Sequence, residues 1–433
     1  MSVGRYTPTS PFPGRATAPP AARPTHELNP DLDLLQPYPF QRLSGLFGTV
    51  VPNPALRPIS LGIGEPKHPT PERIRAAICA NLDGLAAYPG TAGSEALRRS
   101  MADWLVMRHG LAGLDWKTQV LPVNGSREAL FAIAQTVVDR SRPTPVVVSP
   151  NPFYQIYEGA TLLAGARPAF LNQTQDNSFR LDLGQLSDET WSRTQLLFVC
   201  SPGNPAGAVL TLDDWRALFA LSDRHGFVIV SDECYSEIFF DDALPPLGGL
   251  GAAQALGRAG FPRLVVLGSL SKRSNCPGMR SGLIAGDAAI IERFLLYRTY
   301  HGCAMSPTIQ AASIAAWTDE THVVENRRMY REKFDAVLDV LAPAMPVQRP
   351  DGGFYLWIET PGADTDFARD LYREQAVTVL PGSYLAREAH GINPGLGRVR
   401  AALVAPVQEC VEAATRLAAF VHGRQPATAH PHP

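Results

Sequence analysis

Four short runs in this chain are apolar at almost every position, and each ends in small or polar residues: Pro145-Val-Val-Val-Ser149, Leu196-Leu-Phe-Val-Cys200, Phe227-Val-Ile-Val-Ser231 and Leu264-Val-Val-Leu-Gly268. A strand with one wet face alternates apolar and polar residues. A strand that does not alternate is buried on both faces. Such burial needs helices on both sides of a mostly parallel sheet. The residues between the runs supply them. In Arg127–Val138, Leu130, Ile133, Ala134, Val137 and Val138 recur at helical spacing. A second helix is expected near Leu212 to His225, after the turn signal at Pro205 and Gly207. The expected fold class is therefore α/β, with a mostly parallel sheet over roughly residues 61–305.

After Ser306-Pro307 the texture changes. A long helical stretch from about Ile309 to Leu341 precedes a strand at Gly352–Ile358. A helix near Phe367–Glu374 and strands at Val377–Leu380 and Val399–Leu403 follow. This order predicts a smaller α+β domain over residues 306–423, joined by an N-terminal segment over residues 28–60. Residues 1–27 are rich in Pro, Thr, Ala and Arg and lack apolar periodicity. They are expected to be a disordered extension, and residues 424–433 a disordered tail.

Composition excludes several classes. A net charge of -2 creates no global field for nucleic acid or an anionic membrane. No apolar run approaches the roughly 20 residues of a transmembrane helix. The six cysteines are isolated from one another, and the ten histidines show no metal-site spacing. Neither a disulfide framework nor a metal site is expected, and scattered free thiols fit a cytoplasmic setting.

In parallel α/β sheets, ligands bind beyond the carboxyl ends of the strands. The polar motifs here cluster at such ends. Gly268-Ser269-Leu270-Ser271-Lys272 follows a strand. A loop lysine is ordinarily solvated surface, but one held at a buried strand end loses water, which lowers its pKa and frees the amine to attack an aldehyde. Ser269 and Arg280 are candidates to hold a phosphate. Asp232, in Ser231-Asp-Glu-Cys-Tyr235, is either a helix cap or the partner of a protonated pyridine nitrogen. Tyr235 would then bond the ring hydroxyl. Asn124-Gly125-Ser126-Arg127 is either an ordinary helix start or one that holds a phosphate. Ser201-Pro-Gly-Asn204-Pro-Ala-Gly207 is a bare turn, or it aims the Asn204 amide at a ring oxygen. Asn151-Pro-Phe-Tyr154-Gln-Ile-Tyr157 offers a core aromatic, or one stacked on a flat heterocycle.

Taken in their order along the chain, and followed by Arg280, the five motifs resemble the fold type I pyridoxal-phosphate-dependent aminotransferases, the aspartate aminotransferase superfamily. The resemblance covers roughly residues 28–422. It implies a large pyridoxal-phosphate-binding domain over residues 61–305, and a homodimer acting on amino and keto acids. It implies that Lys272 carries pyridoxal 5'-phosphate covalently and that Asp232 pairs with the ring nitrogen. Lys272, Asp232 and Tyr235 would be the catalytic residues. Asn204 and Tyr235 would bond the phenolic oxygen, and Tyr154 would stack on the ring. Gly125, Ser126, the Arg127 backbone, Ser269 and Arg280 would hold the phosphate. Tyr88, in Ala87-Tyr-Pro-Gly-Thr-Ala-Gly93, matches a tyrosine that reaches the neighbouring subunit's phosphate. Gly64, Asn204 and Arg400 match positions that bind substrate, with Arg398 the alternative to Arg400 two residues earlier. Ala206 replaces the usual threonine of Asn-Pro-Thr-Gly.

Leu28–Phe40, Ser271–Gly282 and Tyr297–Pro307 more closely resemble proteobacterial N-succinyldiaminopimelate aminotransferases. That finer resemblance implies ping-pong transfer of an amino group between glutamate and N-succinyl-2-amino-6-oxopimelate, in the synthesis of lysine and diaminopimelate. Arg273 and Arg298 are candidates for the distal carboxylates by charge alone. The rivals are an aspartate or aromatic aminotransferase, or a β-lyase, on the same scaffold. A pyridoxal-phosphate-binding regulator is disfavoured, because residues 1–27 are too few and too Pro-rich for a DNA-binding domain. A nicotinamide dehydrogenase is disfavoured because Gly62-x-Gly64 lacks a third glycine.

Overall fold

The computed structural model describes residues 28–424. The extension expected over residues 1–27, and all of the expected tail except Arg424, lie outside the described residues. Seven strands form the main sheet: β1 (Val120–Val123), β2 (Val146–Asn151), β3 (Arg167–Asn172), β4 (Thr194–Cys200), β5 (Val228–Asp232), β6 (Leu264–Ser269) and β7 (Gly282–Gly286). Their order is β1-β7-β6-β5-β4-β2-β3. Only β7 runs against its neighbours, so the sheet is mostly parallel.

The unbroken apolar runs have a direct cause. Leu197, Val199, Ile229, Leu264 and Val266 enter a core on one face of the sheet. Their neighbours Leu196, Phe198, Val230, Val265 and Leu267 enter a second core on the other face. Burying each such side chain contributes about 1.5–3 kcal/mol relative to leaving it in water. Helix Ser126–Val137 closes the second core with Leu130, Ile133 and Ala134. Helix Leu212–His225 closes the first with Trp215, Leu218 and Phe219. The latter is bounded locally: Thr211 and Asp214 form a capping box, and Gly226 ends it in the left-handed region at φ 83°.

Three strands escape the reading by runs. β1 and β3 each contain a proline and lie at the sheet edges, where a missing N–H is tolerated. β7 is only five residues long and is bounded by glycines.

A second sheet, in the order β9-β10-β8, contains β8 (Tyr355–Glu359), β9 (Leu380–Pro381) and β10 (Arg398–Ala402). Ile59–Ser60 pairs with Val377–Thr378 beside it. This unit has its own core, including Phe334, Leu356, Val399 and Leu417. The single helical stretch expected from Ile309 to Leu341 is two helices, Pro307–Trp317 and Thr321–Leu341. The first packs on helices Glu72–Ala80 and Glu95–His109. Its Ala312, Ala316 and Trp317 belong to the large-sheet core. The boundary expected at residue 306 is thus corrected: the chain leaves the larger unit only after Trp317, whose ring packs 4.7 Å from that of Trp104. The turn Pro30–Leu34 likewise packs on helix Ile156–Leu163 of the larger unit.

Phe198 is fully buried, and its ring stacks 4.7 Å from Tyr157. Phe198→Ala is expected to cost about 3–5 kcal/mol, read as a lower denaturant midpoint. An unchanged midpoint would contradict this account of the two-faced core.

Candidate active site

β4, β5 and β6 end side by side, at Cys200, Asp232 and Ser269. Beyond these ends lies a cleft of about 500 Å³. Lys272, Asp232, Tyr235, Asn204, Tyr154 and Arg400 line it. So do Gly64, Ser126, Arg127, Ser269 and Arg280. Arg400 comes from β10 of the smaller sheet, so the cleft is built by both units.

Lys272 sits in a short helical turn, Leu270–Arg273, directly after β6. Its Nζ donates to the Gly64 carbonyl at 2.7 Å. Burial pushes the amine down to about 8, and the positive charges of Arg400 and Arg280 add to the effect. Gly64 has no room for a side chain, because a Cβ there would strike the Tyr355 hydroxyl.

Asp232 is buried. Its Oδ2 accepts from the Tyr157 hydroxyl at 2.7 Å, and its Oδ1 from the Cys234 N–H at 3.3 Å. Burial raises its pKa, opposed by these hydrogen bonds and by Lys272. A cation placed before the carboxylate would favour its charged form. The hydroxyls of Tyr235 and Tyr355 lie 3.0 Å apart. The Tyr154 hydroxyl accepts from Arg127 Nε at 2.7 Å, and its ring stands edge-on to Tyr157.

The cleft also holds an anion cradle. Helix Ser126–Val137 starts at Gly125, which supplies no side-chain cap, so its first N–H groups point outward unclaimed by one. Gly125 has φ 81°, and a Cβ there would strike the Arg280 guanidinium. The glycine therefore lets the arginine close over the helix start. Arg280 is held by the Pro277 carbonyl at 2.9 Å. Ser126 Oγ accepts from Cys234 Sγ at 2.9 Å, and Ser269 Oγ from the Ser271 N–H at 3.2 Å.

Geometry separates Arg400 from Arg398, since only Arg400 lines this cleft. Arg400 is buried, donating to Asn204 Oδ1 at 2.9 Å and to the Gly62 carbonyl at 3.0 Å. Its Nε is buried without a partner. Arg398 pairs with Glu359 at 3.3 Å and lines a different cleft.

Arg273 and Arg298 do not reach the cleft. Arg273 is buried between Trp104 and Trp317 and pairs with Glu320. Arg298 is buried against Glu128 at 3.0 Å and the Pro122 carbonyl at 2.9 Å. Charge alone misread both, because their carboxylate partners lie far away in sequence. Tyr88 is fully exposed and does not line the cleft. Tyr157 and Tyr355 were missed. Tyr157 lies within the quoted Asn151–Tyr157 motif, three residues after Tyr154, whereas Tyr355 carries no signal beyond its place on an apolar strand. Folding also gathers Glu128, His301 and Cys303 within 4.8 Å, which no sequence spacing announced. Glu128 is already committed there to Arg298.

A lysine with a lowered pKa, a buried carboxylate, an anion cradle and a buried arginine in one cleft define a site for aldehyde-cofactor chemistry on amino acids. The chain belongs to the aminotransferase class I and II family, whose model matches residues 57–417. An aminotransferase from Neisseria meningitidis Z2491 is 51% identical, with a TM-score of 0.88, covering 91% of this chain and 100% of that one. Aminotransferase AspB from Helicobacter pylori 26695 is 32% identical, with a TM-score of 0.83, covering 90% and 100%. An LL-diaminopimelate aminotransferase from Desulforudis audaxviator is 33% identical, over 88% of this chain and 95% of that one. The protein is a pyridoxal-phosphate-dependent aminotransferase of fold type I, acting on amino and keto acids. The residues present fit that cofactor: the uncapped helix start and Arg280 suit its phosphate, and Asp232 suits its ring nitrogen. No helix among the described residues is long and apolar enough to cross a membrane.

Only the neutral amine attacks an aldehyde, and Lys272 is neutral above its pKa of about 8. Cofactor-free chain should therefore take up pyridoxal phosphate faster as pH rises from 7 to about 9, levelling beyond, when followed by borohydride trapping and peptide mass. Lys272→Ala should trap none. Trapping at another lysine would refute the assignment.

Proposed function

We propose that the chain moves an amino group between glutamate and the 6-oxo carbon of N-succinyl-2-amino-6-oxopimelate. The observation that carries this reading is the wall of the cleft formed by Tyr38, Pro39 and Phe40. These residues end the segment Leu28–Phe40, which bears the finer resemblance. Several relatives named LL-diaminopimelate aminotransferase support a pimelate skeleton. A long substrate with carboxylates at its ends needs cations beyond Arg400. Arg127 lines the cleft, and among the described residues its side chain is held only by the Tyr154 hydroxyl and the nearby Tyr38 ring.

Pyridoxal phosphate supplies the carbonyl and the electron sink. The protein supplies position and protons. Arg400 and Asn204 hold the substrate α-carboxylate, with the Arg400 fork fixed by Asn204 and Gly62. Lys272 Nζ, as a free amine, would take the proton from the substrate α-carbon and hold it for the return transfer. Asp232, fixed by Tyr157, holds the ring nitrogen in its charged form. Tyr235 and Asn204 bond the ring oxygen. Ser126, the Arg127 backbone, Ser269 and Arg280 hold the phosphate, and Tyr154 covers the ring. The second half-reaction runs the same steps backwards on the keto acceptor.

With glutamate as donor, the succinylated acceptor should turn over faster than oxaloacetate, phenylpyruvate or the unblocked pimelate skeleton. Arg127→Ala should raise KM for the long acceptor about tenfold or more, with little change for oxaloacetate. Preference for the unblocked skeleton would replace the succinyl assignment with the activity named for the relatives. Preference for oxaloacetate would defeat both.

Tyr88 is proposed to complete the phosphate site of a second copy in a homodimer, which accounts for its full exposure in one chain. Mixing inactive Lys272→Ala with impaired Tyr88→Ala protein, followed by subunit exchange, should give more activity than the two sum to, because one site of each hybrid is intact. Absence of any gain after proven exchange would refute a composite site.

A further inference from the structure

Helix Thr321–Leu341 carries a buried lysine, Lys333, only 2% exposed, with no carboxylate partner among the described residues. Its Nζ lies 2.5 Å from His68 Nε2 and donates to the Val404 carbonyl at 3.2 Å. An ammonium can only donate, so Nε2 accepts and the His68 proton sits on Nδ1. Nδ1–H then donates to Asn326 Oδ1 at 2.8 Å. The Asn326 Nδ2 donates in turn to the carbonyls of Lys272, at 3.1 Å, and Arg273, at 3.3 Å. The amide orientation follows from those two carbonyls, which can only accept, so the Asn326 atom facing them is Nδ2 and Oδ1 faces His68. Every link runs in one direction, from a buried cation to the backbone of the cofactor lysine.

The same stretch of chain grips Lys272 from its other end. Gly64, four residues before His68, accepts from Lys272 Nζ. Thr70, two residues after it, donates to the Asn275 carbonyl at 2.8 Å. Both the amine and the backbone of Lys272 are therefore registered against residues 64–70. This matters because Nζ must leave its resting place and return in each half-reaction. A misplacement of about 1 Å at such a centre can cost on the order of a hundredfold.

We propose that Lys333, His68 and Asn326 form a positioning relay that sets where Lys272 Nζ rests and how readily it exchanges its proton. The proposal rests on Lys272 carrying the cofactor. None of the three residues lines the cleft, so none is catalytic. The groups acting directly on Lys272 are Cys234, Arg400, Glu65 and Arg280. Glu325 also faces His68, and Cys410, Glu332 and Lys67 face Lys333. The relay works through the backbone, beneath that field.

The test uses holoenzyme. His68→Leu breaks the relay at its centre. Asn326→Asp keeps the shape but replaces the Nδ2 donor with an acceptor facing two carbonyls. Lys333→Met removes the cation at near-constant volume. His68→Asn retains a donor to Asn326 and serves as the rescue. The expected result for the first three is a kcat about tenfold lower with KM for glutamate changed less than about twofold. The pH midpoint of the visible band of lysine-bound cofactor should move by about half a unit or more. His68→Asn should return that midpoint to the wild-type value. Folded variants that keep the wild-type midpoint overturn the proposal. So does failure of all three disruptive variants to fold, which would make the group structural. Failure of the Lys272 assignment is distinguishable, since the band would then survive in Lys272→Ala.

Discussion

The site depends on the sheet having no wet face. Along the middle of β4, β5 and β6, at residues 196–199, 228–230 and 264–267, every side chain packs into one of two cores, so the reactive polar residues are left to the strand ends. Asp232 and Ser269 are those last residues, and Lys272 follows within a single turn. Parallel pairing aligns the ends of adjacent strands, so one rule of burial, applied strand by strand, gathers the chemistry in one cleft. The aromatic pair Phe198 and Tyr157 shows the coupling directly. Phe198 fills the second core, Tyr157 stacks on it, and the Tyr157 hydroxyl holds Asp232.

Within the cleft, low hydration makes a few charges decisive. Burial and the two arginines lower the Lys272 amine, while burial alone raises the Asp232 carboxyl. Both shifts favour neutral forms in the absence of a partner, and both are of the kind a charged ligand reverses. A pyridinium before Asp232 and a phosphate before Arg280 would supply the missing counter-charges. Arg400, with its partnerless buried Nε, is likewise a cation awaiting an anion.

The smaller unit does more than cover the cleft. β10 delivers Arg400, and helix Thr321–Leu341 delivers Asn326 to the backbone of Lys272. Residues 59–70 run between the units: Ile59 pairs with Val377, Leu61 accepts from Ala402, and Gly64 accepts from Lys272. A movement of the smaller unit would therefore be felt at the lysine through covalently short paths.

The sequence by itself determined the class of sheet, the strand ends and the residues at them. Unbroken apolar runs and the small-polar motifs after them are local properties, visible without a partner strand. Lys272, Asp232, Asn204 and Arg280 were legible for that reason. Edge strands with prolines, and the break between the helices at Thr318–Glu320, were not, because they are set by neighbours rather than by local periodicity. Tertiary structure alone decided that Arg400 and not Arg398 enters the cleft: two residues apart, they leave the same face of β10, and only the neighbouring chain separates them, Asn204 and Gly62 receiving Arg400 and Glu359 receiving Arg398. It alone committed Arg273 to Glu320 and Arg298 to Glu128, pairs separated by 47 and 170 residues. It alone brought His68, Asn326 and Lys333 into line. A charge or a hydrogen bond has a partner only where the folded chain puts one, and no spacing in the sequence encodes that distance.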